Sequence, residues 1–300
     1  MTYDIMMPFY GRPDHFTLAV RSVLAQTDPD WRLVILDDHY PDTAPGEWVT
    51  SLGDPRIQYR RRAENQGINA SFQECVELSR SEWFTIFGCD DVMHPGYVAR
   101  VTRLAQQHAQ ASMIHPGVRI IDGDGSPVRT LVDSAKALYR PKATTPVELS
   151  GEALAVSVTR GNWMNFPAVA WNGPAVRSTG FRQGFEVVQD LALVLDLCEA
   201  GGSLVVDDEV VFDYRRHAGS VSSWKAVDGS RFVEEQAFFR SLDGRFGSRG
   251  WSRAARAARL HVSSRINALT RLPSALRAHD RAGTDVLLRH SLGISPRRVP

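Results

Sequence analysis

The sequence predicts an α/β fold: a mostly parallel central sheet flanked by helices, followed by a C-terminal helical extension. Three observations carry this expectation. Short, nearly continuous apolar runs alternate with stretches of helical spacing, acidic pairs close two of those runs, and Arg residues crowd the far end of the chain.

Tyr3 to Met7 reads as the first strand, and Asp14 to Leu24 sets Phe16, Val20, Val23 and Leu24 on one helical face. Arg32 to Leu36 is a second strand ending in Asp37-Asp38, and Ile57-Gln58-Tyr59 a third. Ser71 to Leu78 is a helix, and Trp83 to Phe87 a fourth strand running into Gly88-Cys89-Asp90-Asp91. Apolar strands alternating with helices imply a sheet covered on both faces. Such sheets bind ligands at the carboxyl ends of their strands, where both acidic pairs fall.

Ile114 to Ile121 is a further strand, followed by the hairpin-type turn Asp122-Gly123-Asp124-Gly125. Ser126 to Asn165, interrupted by Pro127, Pro141 and Pro146, reads as a flexible insertion. Asp190 opens a helix over Leu191 to Leu197 that Gly201-Gly202 ends, and Glu209 to Tyr214 is a strand.

A chain of 300 residues with 43% hydrophobic residues can bury a large core, which excludes disordered and fibrous classes. No signal-type leader opens it, and no apolar run approaches the roughly 18 residues of a membrane span. The expected location is the cytoplasm, with a peripheral place at the inner face of the cell membrane. Cys75, Cys89 and Cys198 form no CxxC or Cys/His cluster, against a disulfide framework or structural zinc. The net charge of +1 conceals a division: Arg249 to Pro300 holds eleven Arg and two acids, or +9, leaving −8 on the first 248 positions.

Carboxylates at strand ends suit a hard divalent cation, Mn2+ or Mg2+, which takes oxygen ligands. Asp90-Asp91 alone reads better as a turn, since Asp is common in turns and at helix N-caps. Its company decides the matter: Asp38 closes an earlier strand, Asp190 starts a later helix, and Tyr214 to Ser222 follows a later strand.

These residues carry a resemblance to the inverting family 2 glycosyltransferases of GT-A fold. It rests on Met7-Pro8-Phe9-Tyr10 with Arg12-Pro13, Ser22 to Thr27, Val34 to Asp38 and Asn65-Gln66-Gly67-Ile68. It continues through Phe87 to Asp91 with Pro95, Gln189-Asp190 and Tyr214-Arg215-Arg216-His217, in order over roughly Thr2 to Ser223. The resemblance implies a catalytic domain over 1–223, with a nucleotide half about 1–122 and an acceptor half about 123–223. A basic, mainly helical extension fills 224–300.

It also implies roles. Pro8 and Tyr10 would wall the nucleotide pocket, Asp38 would accept from the uracil imide, and Asn65 and Gly67 would shape the loop beside the ribose, with Arg60, Arg61 or Arg62 lending charge. Asp90 would lie near the ribose and sugar. Asp91 would be the direct metal ligand, joined by His217. Gly88 stands where many members carry another acid. Arg215 and Arg216 would neutralise the diphosphate, and 214–222 would close over it. Asp190 would be the general base of a single in-line displacement; Gln189 replaces a frequent Glu. Trp163 could stack on an acceptor sugar, with Asn162 and Asn165 bonding its hydroxyls; core packing is the equal alternative for Trp163.

The expected partners are a nucleotide-sugar, preferably a UDP-sugar, and a glycan or lipid-linked acceptor. Nucleic acid is not expected, since no recognition motif accompanies the basic tail. Within that tail Arg253, Arg256, Arg259 and Arg265 stand among Leu260, Val262, Ile266, Leu269 and Leu272, as in a basic amphipathic helix suited to an anionic membrane. Packing on the catalytic domain or on a partner subunit is the alternative. Two other functions share the sheet type: a sugar-nucleotidyltransferase, which needs a Gly-rich basic N-terminal loop that Pro8 to Arg12 does not supply, and a non-catalytic nucleotide-sugar-binding scaffold.

Overall fold

The computed structural model describes residues 2–142, 146–216 and 230–294. Strands β1 (Tyr3–Phe9), β2 (Trp31–Asp37), β3 (Ile57–Arg61) and β4 (Trp83–Ile86) are parallel, in the order β3-β2-β1-β4. Phe9 stands level with Asp37, so the loops after β1 and β2 leave the sheet at one edge.

Beyond β4 the sheet is mixed. Strand β8 (Ala170–Asn172) pairs antiparallel with β4 and with β6 (Ala111–Ile121), and β6 runs parallel to β9 (Ser203–Arg215). The other side of β9 takes β7 (Val147–Ser150) on its first half and β5 (Val92–Met93) near its end, both antiparallel. The β6–β9 register shifts around Pro116-Gly117. A Cβ at Gly117 would stand 2.5 Å from the Asp208 carbonyl, so this close backbone approach requires glycine.

Alternation along the strands divides the core between the two faces. Ile5, Met7, Leu33 and Ile35 pack with Phe16, Val20 and Val23 of α1 (Pro13–Leu24) and with Val98, Val101 and Leu104 of α4 (Tyr97–Gln107). Helix α2 (Ala44–Ser51) adds Val49 to that layer. Met6, Val34 and Leu36 face the other way. They share a core with α3 (Ile68–Leu78), α6 (Gly151–Arg160), α7 (Gly173–Thr179) and α8 (Gln189–Glu199). Leu191 to Leu195 are all buried, so the middle of α8 is embedded in this layer, while Asp190, Asp196 and Glu199 stay half-buried at its margins.

The segment 126–165 is not the flexible insertion its prolines suggested. It holds α5 (Leu131–Tyr139), β7 and α6; Pro127, Pro141 and Pro146 lie outside these elements, punctuating rather than interrupting them. Four further helices follow: α9 (Ser230–Ser248), α10 (Ser252–Leu260), α11 (Val262–Arg277) and α12 (Arg281–Leu292). Phe238, Leu242 and Phe246 of α9 and Ala254, Ala255 and Ala258 of α10 are buried in the same core as α6 and α8. Each of the larger side chains contributes about 1.5–3 kcal/mol by burial. Helices α11 and α12 instead join a small cluster of their own, Phe232, Ala268, Ala275 and Leu287. Among the described residues no helix is long and apolar enough to cross a membrane.

Candidate active site

The loops after β1, β2 and β4 and the end of β9 meet at one edge of the sheet. After β1, Pro8 is buried in the strand, while Tyr10 is 55% exposed with its ring edge-on to Tyr40 at 5.7 Å. This open aromatic pair is a surface on which a planar base can lie. Tyr40 was not foreseen from the sequence, where an aromatic in a polar loop carries no signal.

Asp37 and Asp38 are both buried, and neither stands open. Asp37 accepts from the Tyr40 amide at 2.7 Å, from the Tyr59 hydroxyl, and from Arg61 at 2.7 Å. Asp38, expected to read a base, accepts from Arg62 at 2.9 Å and from the amides of Gln66 at 2.9 Å and Gly67 at 2.8 Å. Its structural work is to shape the 65–67 loop. Gly67 has φ +84° at the start of α3, a left-handed conformation that favours glycine. Asn65 and Arg60 are exposed; Arg61 and Arg62 are ion-paired, Arg62 also to Glu74 at 2.5 Å, rather than solvated.

Asp91 is 1% exposed. One carboxylate oxygen accepts the Arg215 amide at 2.8 Å, and the other, Oδ2, is buried with no hydrogen-bond partner among the described residues. Burial, and then the charge of Asp90, raise its pKa. An unsatisfied buried carboxylate oxygen is costly alone, and is the ligand type a hard cation takes. A Cβ at Gly88 would stand 2.4 Å from that Oδ2, so glycine leaves the carboxylate its room. The described residues contain no group of three or more potential ligands, and His217 lies outside them.

Arg215 departs from its expected role. It is 3% exposed, and its guanidinium donates to the carbonyls of Asp90 at 2.7 Å, Asp122 at 2.9 Å and Gly123 at 3.1 Å. It staples the ends of β4, β6 and β9 instead of facing a phosphate. Arg216 is half-buried and bonds Asp133 of α5 at 2.6 and 2.9 Å.

Asp190 is half-buried at the second position of α8; the cap is Val188, so Asp190 is not the N-cap. Its carboxylate accepts from its neighbour Leu191 at 2.6 Å and from the Asn162 amide at 3.2 Å. Burial raises its pKa, against the opposing pull of these two hydrogen bonds and of the charges of Lys136 and Arg231. Three elements fasten its helix start. Asn69 of α3 accepts from Gln189 at 2.6 Å, Asn162 holds the carboxylate, and Glu234 of α9 accepts from the amides of Glu186, Val187 and Val188 at 2.7–3.1 Å. A carboxylate at a helix start satisfies orphan donors and suits the helix dipole. Glu234 was missed because an acid within a C-terminal helix looks like ordinary surface.

Helix α5 links the two groups of residues. Asp133 holds Arg216, and one turn later Lys136 donates to the Met164 carbonyl at 3.3 Å, beside the Asn162 segment. Lys136 is half-buried and desolvation pushes its pKa down to about 8. Trp163, expected to stack on an acceptor, is 2% exposed; its ring lies edge-on to His115 and its N–H meets Ser157 at 3.2 Å, so it packs the core. Asn165 is also buried, its backbone N–H donating to His115 Nε2 at 3.0 Å.

A family model described as Glycosyl transferase family 2 matches residues 4–156. WcaA of Escherichia coli (strain K12), a protein named for colanic acid biosynthesis, is 27% identical over 122 residues, 40% of this chain and 44% of its own. TuaG of Bacillus subtilis (strain 168), named for teichuronic acid biosynthesis, is 23% identical over 233 residues, 77% of this chain and 86% of its own. The match to WcaA spans less than half of that relative, and matches to two Rickettsia glycosyltransferases span 21% of theirs. Among solved structures, TarS 1-349 of S. aureus in complex with UDP-GlcNAc superposes with a TM-score of 0.60 at 12% identity, over 99% of this chain and 93% of that one. The mannosyltransferase PcManGT from Pyrobaculum calidifontis, in complex with GDP-Man and Mn2+, gives 0.60 at 13% identity, over 97% and 79%. Likeness at these identities establishes a shared fold.

Proposed function

Since the chain belongs to glycosyl transferase family 2, we propose that it moves a sugar from a nucleoside-diphosphate sugar to an acceptor hydroxyl by one inverting displacement, in cell-envelope glycan or glycoconjugate synthesis. The observation that carries this reading is Asp190: a carboxylate with a raised pKa, fixed on a buried helix by contacts from three other elements. Positioning of that kind suits a general base, which must meet one hydroxyl proton at one place.

In this mechanism Tyr10 and Tyr40 take the base of the donor. The 65–67 loop, shaped by Asp38, lies along the ribose, and Asp90 faces the sugar side. Asp91, with Oδ2 unsatisfied, would hold Mn2+ or Mg2+, and His217 is a further candidate ligand. When bound, the cation neutralises charge developing on the leaving diphosphate. Arg216, held by Asp133, supplies the cationic side of the donor pocket. Asp190 takes the acceptor proton as the hydroxyl attacks, with Lys136 and Arg231 favouring its ionised form.

A UDP-sugar is the favoured donor; TarS and PcManGT are recorded with UDP-GlcNAc and GDP-Man, so both nucleotides belong in the test. A glycan or lipid-linked acceptor, and peripheral contact of the basic helices with an anionic membrane, complete the reading. The test is Asp190→Asn, with donor binding followed by thermal shift with and without Mn2+ and turnover by donor hydrolysis or transfer. Binding should persist while turnover falls by about 10²–10⁴. Unchanged turnover would remove Asp190 from the chemistry. Binding without turnover in either form would leave a nucleotide-sugar-binding scaffold.

A further inference from the structure

Helix α11 has two faces that the sequence alone does not separate. Its inner face is occupied: Ala268 and Ala275 are buried with Phe232 and Leu287, and Leu272 packs against them. On its outer face Val262, Ile266, Leu269 and Leu276 are 47%, 52%, 49% and 60% exposed. They recur at three- and four-residue spacing, with exposed Pro273 continuing the row, so they form one stripe along the helix. Leu260 before it, and Leu288 and Leu292 on α12, are exposed as well. A single exposed leucine is ordinary, but an aligned row is a contact surface without its contact.

The charge on α11 itself is of one sign; Arg277 flanks the stripe, Arg271 lies on the opposite side of the helix, and Arg265 is turned to His261 and the Arg259 carbonyl. Helix α11 holds Arg265, Arg271 and Arg277 and no acid. Arg253, Arg256, Arg271, Arg277 and Arg281 form no ion pair among the described residues, whereas Arg259 is paired with Asp243 and Arg289 with Asp285. A second copy laid along the stripe would offer Arg277 no carboxylate from this helix. An anionic lipid surface answers both features, taking the apolar row into its acyl boundary and Arg277 at its phosphates.

We infer that the outer face of α11 seats on an anionic lipid surface, its Val262–Leu276 row entering the interface and Arg277 beside it meeting the headgroups, within a segment that carries +9 over 249–300. This deepens the membrane contact of the proposed function by naming the face and its ligand chemistry. It rests on that reading only for the site of action, since binding is measured without donor.

The experiment uses the full chain with vesicles of phosphatidylcholine alone or mixed with phosphatidylglycerol, in flotation at low and high salt. Truncation is unsuitable because α9 and α10 belong to the main core. Wild type should float with the mixed vesicles, not with phosphatidylcholine alone, and should be released by salt as exposed charges are screened. Ile266→Asp with Leu269→Asp should lower bound protein by about tenfold or more, since charge on the apolar row opposes insertion. Arg277→Glu should weaken the preference for phosphatidylglycerol, whereas Arg271→Glu, on the opposite side of the helix, should leave it unchanged. All four residues are exposed, so melting temperature and donor hydrolysis should match wild type; Ile266→Ser with Leu269→Ser replaces the apolar pair if it misfolds. Wild type that stays with the unbound fraction overturns the inference, as does undiminished flotation of the Asp pair. A wild-type dimer that the Asp pair turns into a monomer, with no flotation, assigns the face to a second copy and also overturns it. Donor hydrolysis tests the glycosyltransferase reading separately, so the two can fail independently.

Discussion

The proposed donor side and the proposed base side of the site are built in different ways. Tyr10, Asp38, Asp91 and Arg215 each stand at or just beyond a strand or its closing loop, and the alternation that buries the sheet also fixes where they emerge. Asp190 stands on a helix whose start is fastened by Asn69, Asn162 and Glu234, residues from three elements far apart in the sequence. The first arrangement depends on a local pattern and the second on remote contacts. Loss of function on the base side should therefore come from residues that touch no substrate.

The sharpest test of the donor side is Asp91→Ala. It removes the buried oxygen that has no other partner, and leaves the Arg215 amide unsatisfied at a cost of about 1–3 kcal/mol. Mn2+-dependent donor binding should fall below detection, a loss of more than about 10²-fold. A thermal shift by donor with Mn2+ equal to that of wild type would exclude Asp91 as the ligand.

On the base side the corresponding change is remote. Glu234→Ala strips the acceptor from three amides ahead of α8, and Glu234→Gln keeps a carbonyl there without the charge. Turnover should drop by roughly 10–100-fold in the Ala variant and less in the Gln variant, because small displacements of a base are expensive. Donor affinity should stay within about twofold, since the donor residues rest on the strand edge. Equal losses in affinity and turnover would show Glu234 to be a general prop of the fold, and would collapse the contrast between the two sides.

The same contrast explains what could be read in advance. Ile5, Met7, Leu33 and Ile35 announce strands because burial on two faces demands apolar runs, and Phe16, Val20 and Val23 announce α1 by their spacing. The prolines of 126–165 misled because proline between helices and proline within a loop look alike in one dimension. Arg215 illustrates a deeper obstacle. Sequence shows a cation beside an expected diphosphate, but whether its donors point to a ligand or to three carbonyls is settled only by packing. Asp38 is turned inward by Arg62 for the same reason, and for Trp163 it is the ring of His115, distant in the chain, that decides for core packing over stacking on a sugar. Glu234 had no signal at all.

Gly88 offers a smaller perturbation of the donor side. In Gly88→Ala the new Cβ would meet Asp91 Oδ2 at 2.4 Å and Asp90 Oδ1 at 3.1 Å. The carboxylate must move, so the Mn2+ concentration for half-maximal activity should rise by about tenfold, with turnover at saturating metal less affected. An unchanged metal requirement would show that the glycine is incidental to the site.

The subtlest test concerns Lys136, whose charge favours ionised Asp190 while burial weakens its own. As the proposed general base Asp190 must be ionised, so turnover should fall as pH drops through its pKa. Lys136→Met removes one of the cations lowering that raised pKa, and the acid limb of the turnover profile should move to higher pH. Arg231 still acts on Asp190 in the variant, and Arg216 and Asp133, the other charges near Lys136, remain paired with each other, so the move should be modest. Lys136 itself loses its proton near pH 8, and above that its charge no longer acts on Asp190. The two profiles should therefore separate at low pH and converge above about pH 8. A uniform loss of turnover at every pH, with no displacement of the acid limb, would mean that Lys136 serves only to hold the Met164 carbonyl. Lys136→Arg, which keeps the charge, should leave the limb close to its wild-type position.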